Sequence, residues 1–155
     1  MKKYNAAVIV ILAALFCLAA EFSHAQKAEY LSDSLTEVGP LKAGNKIIVA
    51  GFYFEDGSAA INANLRKYVQ KIAEQIKKAK YDKIFVDGYT DNKGDNSANN
   101  KISRERANGV RAELIKSGIP AKKIQARAYG SAKPLAPNNT LAGRIQNRRI
   151  EILIR

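Results

Sequence analysis

The sequence predicts an α/β (α+β) two-layer sandwich, with a mixed four-stranded sheet and helices on one face. Three observations predict it. Short segments rich in β-branched and aromatic residues alternate with longer segments of helical period, in the order β-α-β-α-β-(short α)-β. The 155 residues suffice for one domain with a real core but hardly for two. The sequence also contains no internal repeat and no low-complexity tract.

The N-terminus is typical of a secretory signal peptide. Lys2 and Lys3 precede an apolar run over 6–20, and Ser-His-Ala at 23–25 is a small-x-small cleavage site. The rival interpretation is a transmembrane anchor, but the run is shorter than the roughly 20 residues that a bilayer requires. We therefore expect cleavage after position 25 and no transmembrane segment in the mature chain.

A lipoprotein is a further possibility for such a leader. It would require a small residue before the future N-terminal Cys17, and Phe16 is large, which argues against it. We expect a signal peptide over 1–25, an N-terminal arm or linker over 26–44 and one domain over 45–155.

Cleavage would restrict the chemistry of the mature protein. Removing 25 of the 155 residues leaves 130 and takes away both Cys17 and His24, which are the only cysteine and histidine. Thiolate nucleophiles, histidine bases, disulfides and Cys/His zinc sites are then excluded, and we expect no cofactor. The net charge changes only from +12 to +11, because the leader carries two lysines and one glutamate. Such a basic surface attracts anionic partners or simply keeps the protein soluble.

The first half of the domain begins with a strand over 46–54, which contains Gly51, followed by a turn over 55–58. A helix over 62–79 follows, with Asn62 as its N-cap. Its apolar residues are spaced 4, 3 and 4 apart, which gives one apolar face: Leu65, Val69, Ile72 and Ile76.

The middle of the chain contains a strand over 81–88, whose apolar centre favours an interior position in the sheet. A polar loop over 89–98 leads into a helix over 99–117, which Gly118 closes.

The last part contains a strand over 123–129, a loop over 130–140 that is rich in proline and asparagine, and a short helix over 141–147. The final strand, over 149–155, places its three isoleucines on one face.

Arg106 is the most informative residue of the second long helix. At about 100° per residue, it falls inside the apolar arc that contains Ile102 and Val110. A guanidinium group on the core side must meet an anion or carbonyl groups. An internal salt bridge, or a stem that passes along the core to reach water, explains the position equally well.

Asp91 is the second candidate, because it follows the central strand, where ligands of open α/β sheets tend to bind. The alternative is a loop-capping carboxylate, a role for which Asp95 and Asn99 compete. Asp91 and Arg106 together would suit a zwitterion, since the acid can accept an ammonium group and the arginine can grip a carboxylate. No nucleophile with a tuned base stands out, so we expect a binding module and not an enzyme.

Four blocks of the sequence resemble the OmpA-like C-terminal domain, the peptidoglycan-binding family that includes OmpA, Pal and MotB. The blocks are 54–59, 87–91, Asn99 with Ile102-Ser103 and Arg106-Ala107, and a closing set comprising Tyr129-Gly130, Pro134, Asn139-Thr140, Gly143-Arg144 and 147–152. The second resembles the family's Gly-His-Thr-Asp block, and the third resembles Asn-x-x-Leu-Ser-x-x-Arg-Ala. Together they cover about 46–155.

The resemblance implies non-covalent binding of peptidoglycan through the diaminopimelate of the stem peptide, in a tethering or wall-anchoring role. By motif position, Asp91 would take the ammonium group and Arg106 a carboxylate. Asn99 and Arg148 would line the pocket, and Thr90 would shape the loop.

Two departures from the family pattern are Tyr89 for its histidine and Ile102 for its leucine. Neither carries charge in the expected site, so binding should survive. The implied location is the periplasm or cell envelope, with outer-membrane association left open. The competing hypothesis is a basic periplasmic adaptor that binds an anionic surface or an acidic partner protein, with Asp91 and Arg106 as scaffold.

Overall fold

The computed structural model describes residues 8–9, 41–49, 54 and 57–155. A 3-10 turn, Ala121–Lys123, precedes the fourth strand. In chain order the other elements are β1 (Val8–Ile9), β2 (Lys46–Val49), α1 (Ala63–Lys77), β3 (Ile84–Tyr89), α2 (Asn96–Lys116), β4 (Ile124–Ala128), α3 (Leu141–Asn147) and β5 (Arg149–Ile154).

The strands form one mixed sheet in the order β1-β2-β5-β3-β4. Strand β5 is antiparallel to both β2 and β3, whereas β4 is parallel to β3. The predicted four-stranded sheet is therefore confirmed, and so is the interior position of β3. The two-residue strand β1 adds a parallel pairing at the β2 edge and falls within the predicted signal peptide.

The core lies between the sheet and helices α1 and α2. The isoleucines of β5 that share one face, Ile150, Ile152 and Ile154, are completely buried, as are Leu65 on α1 and Leu114 on α2. Burying a side chain of this size stabilises a fold by about 1.5–3 kcal/mol. The periodicities read from the sequence therefore assign the correct faces to both long helices and to the last strand.

Side-chain caps fix where the helices begin. Asn62 caps α1 as predicted, with its Oδ1 accepting from the amide of Leu65 at 2.8 Å. Helix α2 begins three residues earlier than predicted, because Asp95 and not Asn99 is its N-cap and accepts from the amide of Ala98 at 2.8 Å. Gly118, at φ +94°, follows the end of α2 in the left-handed conformation that favours glycine.

The strands are shorter than their apolar patterns predict. The chain before β3 departs from the ladder, because the amides of Asp82 and Lys83 both bond to the carbonyl of Arg155. The 3-10 turn takes up Lys123 before β4 begins. Within the described residues the first predicted strand ends at Val49, and the expected bulge at Gly51 lies outside them.

Most of the predicted leader and arm, and part of the turn over 55–58, also lie outside the described residues. Among the residues that the structure does describe, we find no helix with the length and apolar character that a membrane span requires.

Candidate functional site

A close crossing of α2 over β3 builds the site. A Cβ atom at Gly88 would collide with the carbonyl oxygen of Ser103, so only glycine allows this approach. The Ser103 hydroxyl donates to the carbonyl of Asn100 and accepts from the amide of Gly130 at 3.1 Å. The amide of Thr90 in turn donates to the carbonyl of Gly130 at 2.8 Å. The loop after β3, the loop after β4 and the first turns of α2 are thereby held together.

Asp91 lies in the loop after β3 and is 7% exposed. Its Oδ1 accepts from the amide of Lys93 at 3.0 Å, which is the local loop contact that the sequence left open as an alternative. Its Oδ2 lies 3.6 Å from Nε of Arg148. One carboxylate oxygen thus shapes the loop, and the other faces a cation.

Arg106 projects from α2 toward the core side and is only 1% exposed, as its position in the apolar arc predicts. Its Nε donates to the carbonyl of Ser58 at 2.7 Å, and its guanidinium carbon lies 4.7 Å from the ring centroid of Phe54. Burial lowers the pKa of Arg106 to about 10, against which the negative charge of Asp91 acts in the opposite direction. The carboxylate and the guanidinium group are therefore close enough to interact.

Arg148 brings a second guanidinium group to Asp91. It lies between α3 and β5, where its amide donates to the carbonyl of Arg144, and burial lowers its pKa. Of the three charged side chains Asp91, Arg106 and Arg148, two are cations. This arrangement can bind a ligand that offers a carboxylate, and its single acid can hold an ammonium group.

Thr90 and Asn99 complete the set of predicted site residues. Thr90 is 5% exposed, and its buried hydroxyl oxygen has no hydrogen-bond partner within the described part of the chain. Asn99, in the first turns of α2, is 7% exposed. Its side chain lies beside Gly94 of the loop after β3, since its Oδ1 would be 3.9 Å from a Cβ atom added to that glycine. The structure thus brings all five predicted residues to the loop after β3.

Sequence reasoning assigned no role to Asn147, which is fully buried. Its amide nitrogen donates to the carbonyl of Ala136 at 2.7 Å and to Oδ1 of Asn138 at 2.9 Å. Its Oδ1 accepts from the amides of Leu135 and Ala136. These four bonds fix the loop before α3 and hence the start of the segment that carries Arg148. The feature of the sequence that could have indicated this role is an asparagine at the end of a short helix that follows a long proline-containing loop.

An ion pair with a buried carboxylate, on the other face of the sheet, was also missed. Asp87 is 3% exposed, and Arg127 donates to both of its oxygens at 2.6 Å. An aspartate inside an otherwise apolar strand was the signal, but its partner is 40 residues away.

Comparisons with known proteins show the family of the chain. A model of the OmpA family matches residues 53–148. The outer-membrane lipoprotein YfiB of Pseudomonas aeruginosa is 40% identical over 94 residues, which are 61% of this chain and 56% of YfiB. The peptidoglycan-binding protein ArfA of Mycobacterium bovis is 32% identical over 116 residues, which are 75% of this chain and 32% of ArfA.

A solved structure of the periplasmic domain of Helicobacter pylori MotB has a TM-score of 0.63 at 32% identity, covering 69% of this chain and 70% of that one. These matches confirm the resemblance that the sequence blocks indicated. The chain spans about half or less of the length of the two curated relatives.

Proposed function

The chain belongs to the OmpA family, and on this premise we propose that it binds peptidoglycan non-covalently in the cell envelope, in a tethering or wall-anchoring role. The observation that carries the proposal is the cluster of one buried carboxylate and two guanidinium groups, Asp91, Arg106 and Arg148, at the end of the central strand. The name of ArfA, which is similar over most of this chain, supports peptidoglycan as the ligand.

The ligand group that fits this cluster is the diaminopimelate of a stem peptide. Its side chain ends in an ammonium group and a carboxylate on the same carbon, and so presents both charges side by side. Asp91 would accept the ammonium group while Arg106 would bind the carboxylate. A charge-assisted hydrogen bond contributes about 1.5–3 kcal/mol, so two such contacts suffice for selective recognition.

The neutral residues of the site would refine the fit. The Thr90 hydroxyl, which is buried without a partner among the described residues, can donate to or accept from a ligand atom. Asn99 lies beside the same loop and offers an amide. The ligand would thereby satisfy a buried polar atom that otherwise costs stability.

The location in the cell envelope agrees with the names of the relatives, which include an outer-membrane lipoprotein and a periplasmic domain.

The cluster of Asp91, Arg106 and Arg148 supports recognition and not catalysis. The reason is that the Asp91 carboxylate is already held in place by a backbone amide and by an arginine.

Sedimentation of the protein with purified sacculi tests the proposal. Asp91→Asn keeps the oxygen that accepts from Lys93 but removes the charge, so affinity should fall about ten- to a hundredfold with the fold intact. Asp95→Asn is the matched control. It makes the same charge change at an exposed N-cap, where asparagine caps equally well, and should bind as wild type does.

Ionic strength separates this proposal from the basic-adaptor hypothesis, which the net charge of +12 favours. If the ligand binds in a buried pocket, the affinity for sacculi should fall modestly between about 50 and about 300 mM salt. If the protein attaches by its surface charge, the affinity should fall steeply over the same range. Steep loss together with unchanged binding by Asp91→Asn would establish the adaptor.

A further inference from the structure

The sheet face opposite the helices carries a cleft of about 630 Å³. Its walls come from β2, β3, β4, β5 and the loop after β4. None of the five residues assigned to peptidoglycan lines it. A ligand could therefore occupy the cleft while peptidoglycan is bound.

The floor of the cleft is a row of ion pairs whose carboxylates are buried. Strand register places Glu151 beside Asp87 and Asp87 beside Arg127. Arg127 binds both oxygens of Asp87, and Nε of Arg149 donates to Glu151 at 2.8 Å. Arg149 also lies over the ring of Tyr89, 3.9 Å from its centroid. Each of the two floor carboxylates therefore already has a guanidinium partner.

Cations outnumber these carboxylates around the cleft. The charged residues among its described lining are Lys46, Arg127, Lys133, Arg149 and Arg155 on the positive side, and Asp87 and Glu151 on the negative side. Five positive and two negative charges leave a net charge of +3. The cleft therefore attracts anionic groups.

The cations are spread out and do not converge on one point. Lys46 on β2, whose ammonium group lies 3.3 Å from Oε2 of Glu151, and Arg127 on β4 are three strand spacings apart. This separation is about 14 Å at about 4.8 Å per strand. Lys133 lies on the rim, with its ammonium group 4.9 Å from the ring centroid of Tyr129. A single phosphate needs donors that converge within hydrogen-bonding distance, and this spacing does not supply them.

Apolar surface lies between the charges. Leu135 on the rim is 49% exposed, and Leu153 and Tyr129 also line the cleft. An extended peptide rises about 3.3 Å per residue, so side chains four residues apart span about 13 Å and point to the same side. This reach matches the separation of Lys46 and Arg127. An apolar side chain between two acidic ones would then meet the leucines while the acids approach cations on the two sides of the cleft.

We propose that this cleft binds an extended acidic segment of a partner protein, with two carboxylates about four residues apart and an apolar side chain between them. The proposal does not depend on peptidoglycan binding, since the two sites share no residue.

A synthetic probe tests it. The probe is an acetylated and amidated ten-residue peptide with two glutamates four residues apart and Val-Leu-Val between them, and its control has glutamine at both positions. Titration followed by backbone amide NMR should shift signals of β2, β4 and β5 with the glutamate peptide and leave them unchanged with the glutamine peptide. Equal binding of both peptides, or shifts confined to the loop after β3, would overturn the proposal.

Matched variants assign the charges. Lys46→Gln with Lys133→Gln should weaken the glutamate peptide about fivefold, because each partly exposed ion pair contributes little. Lys67→Gln with Lys78→Gln removes two exposed lysines from the α1 side and should change affinity less than twofold. Sacculus binding should stay at the wild-type value in both variants. The Lys46/Lys133 variant loses the ion pair between Lys46 and Glu151, but Arg149 still neutralises Glu151, so its melting temperature should fall only slightly. These two readouts separate a lost site from a lost fold.

Two further ligands complete the test. Vesicles containing phosphatidylglycerol and inorganic phosphate should bind no differently to wild type and to the Lys46/Lys133 variant. If vesicles instead depend on these lysines and the peptide does not bind, the cleft recognises a membrane surface and the proposal is wrong.

Discussion

Replacing Arg106 with methionine should remove most peptidoglycan affinity and change the free energy of unfolding by no more than about 2 kcal/mol. Arg106 is 1% exposed, so its side chain occupies interior volume that a substitution must refill. Methionine is long, flexible and apolar, and it can lie against Phe54 in place of the guanidinium group.

The contributions to stability oppose one another. Burial lowers the pKa of Arg106 from 12.5 to about 10, and each pKa unit corresponds to about 1.4 kcal/mol, so keeping the charge buried costs the apo fold about 3 kcal/mol. Against this, the variant loses a charged hydrogen bond to Ser58, about 1.5–3 kcal/mol, and a cation–π contact with Phe54, about 0.5–2 kcal/mol. The sum lies within about 2 kcal/mol of zero.

Alanine at the same position is a poorer test. It removes the charge but leaves a cavity, and truncating a large buried side chain to alanine typically costs about 2–5 kcal/mol. Loss of binding by Arg106→Ala would therefore mix unfolding with loss of contact. Comparing the two variants separates the cavity from the charge.

The assay combines urea unfolding with sacculus sedimentation on the same preparations. Arg106→Met should lose at least tenfold in affinity, since a charge-assisted contact is removed. Arg104→Met, an exposed neighbour on α2, is the control and should bind normally. If Arg106→Met binds sacculi as tightly as wild type, or unfolds outright, Arg106 is a structural residue and the assignment of the site fails.

Two further predictions concern the scaffold. Gly88→Ala should push α2 away from β3, because the added Cβ atom would meet the Ser103 carbonyl. We expect the free energy of unfolding to fall by about 1–3 kcal/mol and the affinity for sacculi to fall with it. A variant with the melting temperature of wild type would refute the close approach of the two elements. Burial raises the pKa of Tyr68 and of Tyr89, so both stay protonated above pH 10 where unfolded tyrosines ionise, and stability should fall with rising pH by about 1.4 kcal/mol per unit for each. The lowered pKa of Arg106 makes stability rise with pH over the same range, so the measurement compares the pH dependence of the unfolding free energy in wild type and in Tyr68→Phe. Between pH 10 and 12 the variant should lose the part of the slope that one tyrosine contributes. Identical slopes for the two proteins would contradict the burial of the Tyr68 hydroxyl.

The faces of elements were predictable from the sequence, whereas contacts between distant elements were not. Arg106 could be placed on the core side because Ile102 and Val110 mark the same arc of one helix. The start of that helix was missed because Asp95 and Asn99 are both good caps, and only the path of the loop decides between them.

The ion pair between Asp87 and Arg127 illustrates the limit for the sheet. It depends on the register of two parallel strands that are separated by a 21-residue helix, and no local pattern encodes that register. The loop contacts of Asn147 depend likewise on the folded loop path. The residues proposed for the site could be named from the sequence because they follow a family motif. The cleft on the open face of the sheet could not, because its lining comes from four strands.

The most direct test of the central claim is calorimetric titration of the protein with two stem peptides that differ only in carrying diaminopimelate or lysine. Lysine keeps the side-chain ammonium group for Asp91 but lacks the carboxylate proposed for Arg106. We predict a preference for the diaminopimelate peptide of about ten- to a hundredfold, and a smaller preference in Arg106→Lys, whose point charge cannot bind a carboxylate in two places. Equal affinity of wild type for the two peptides would contradict the account.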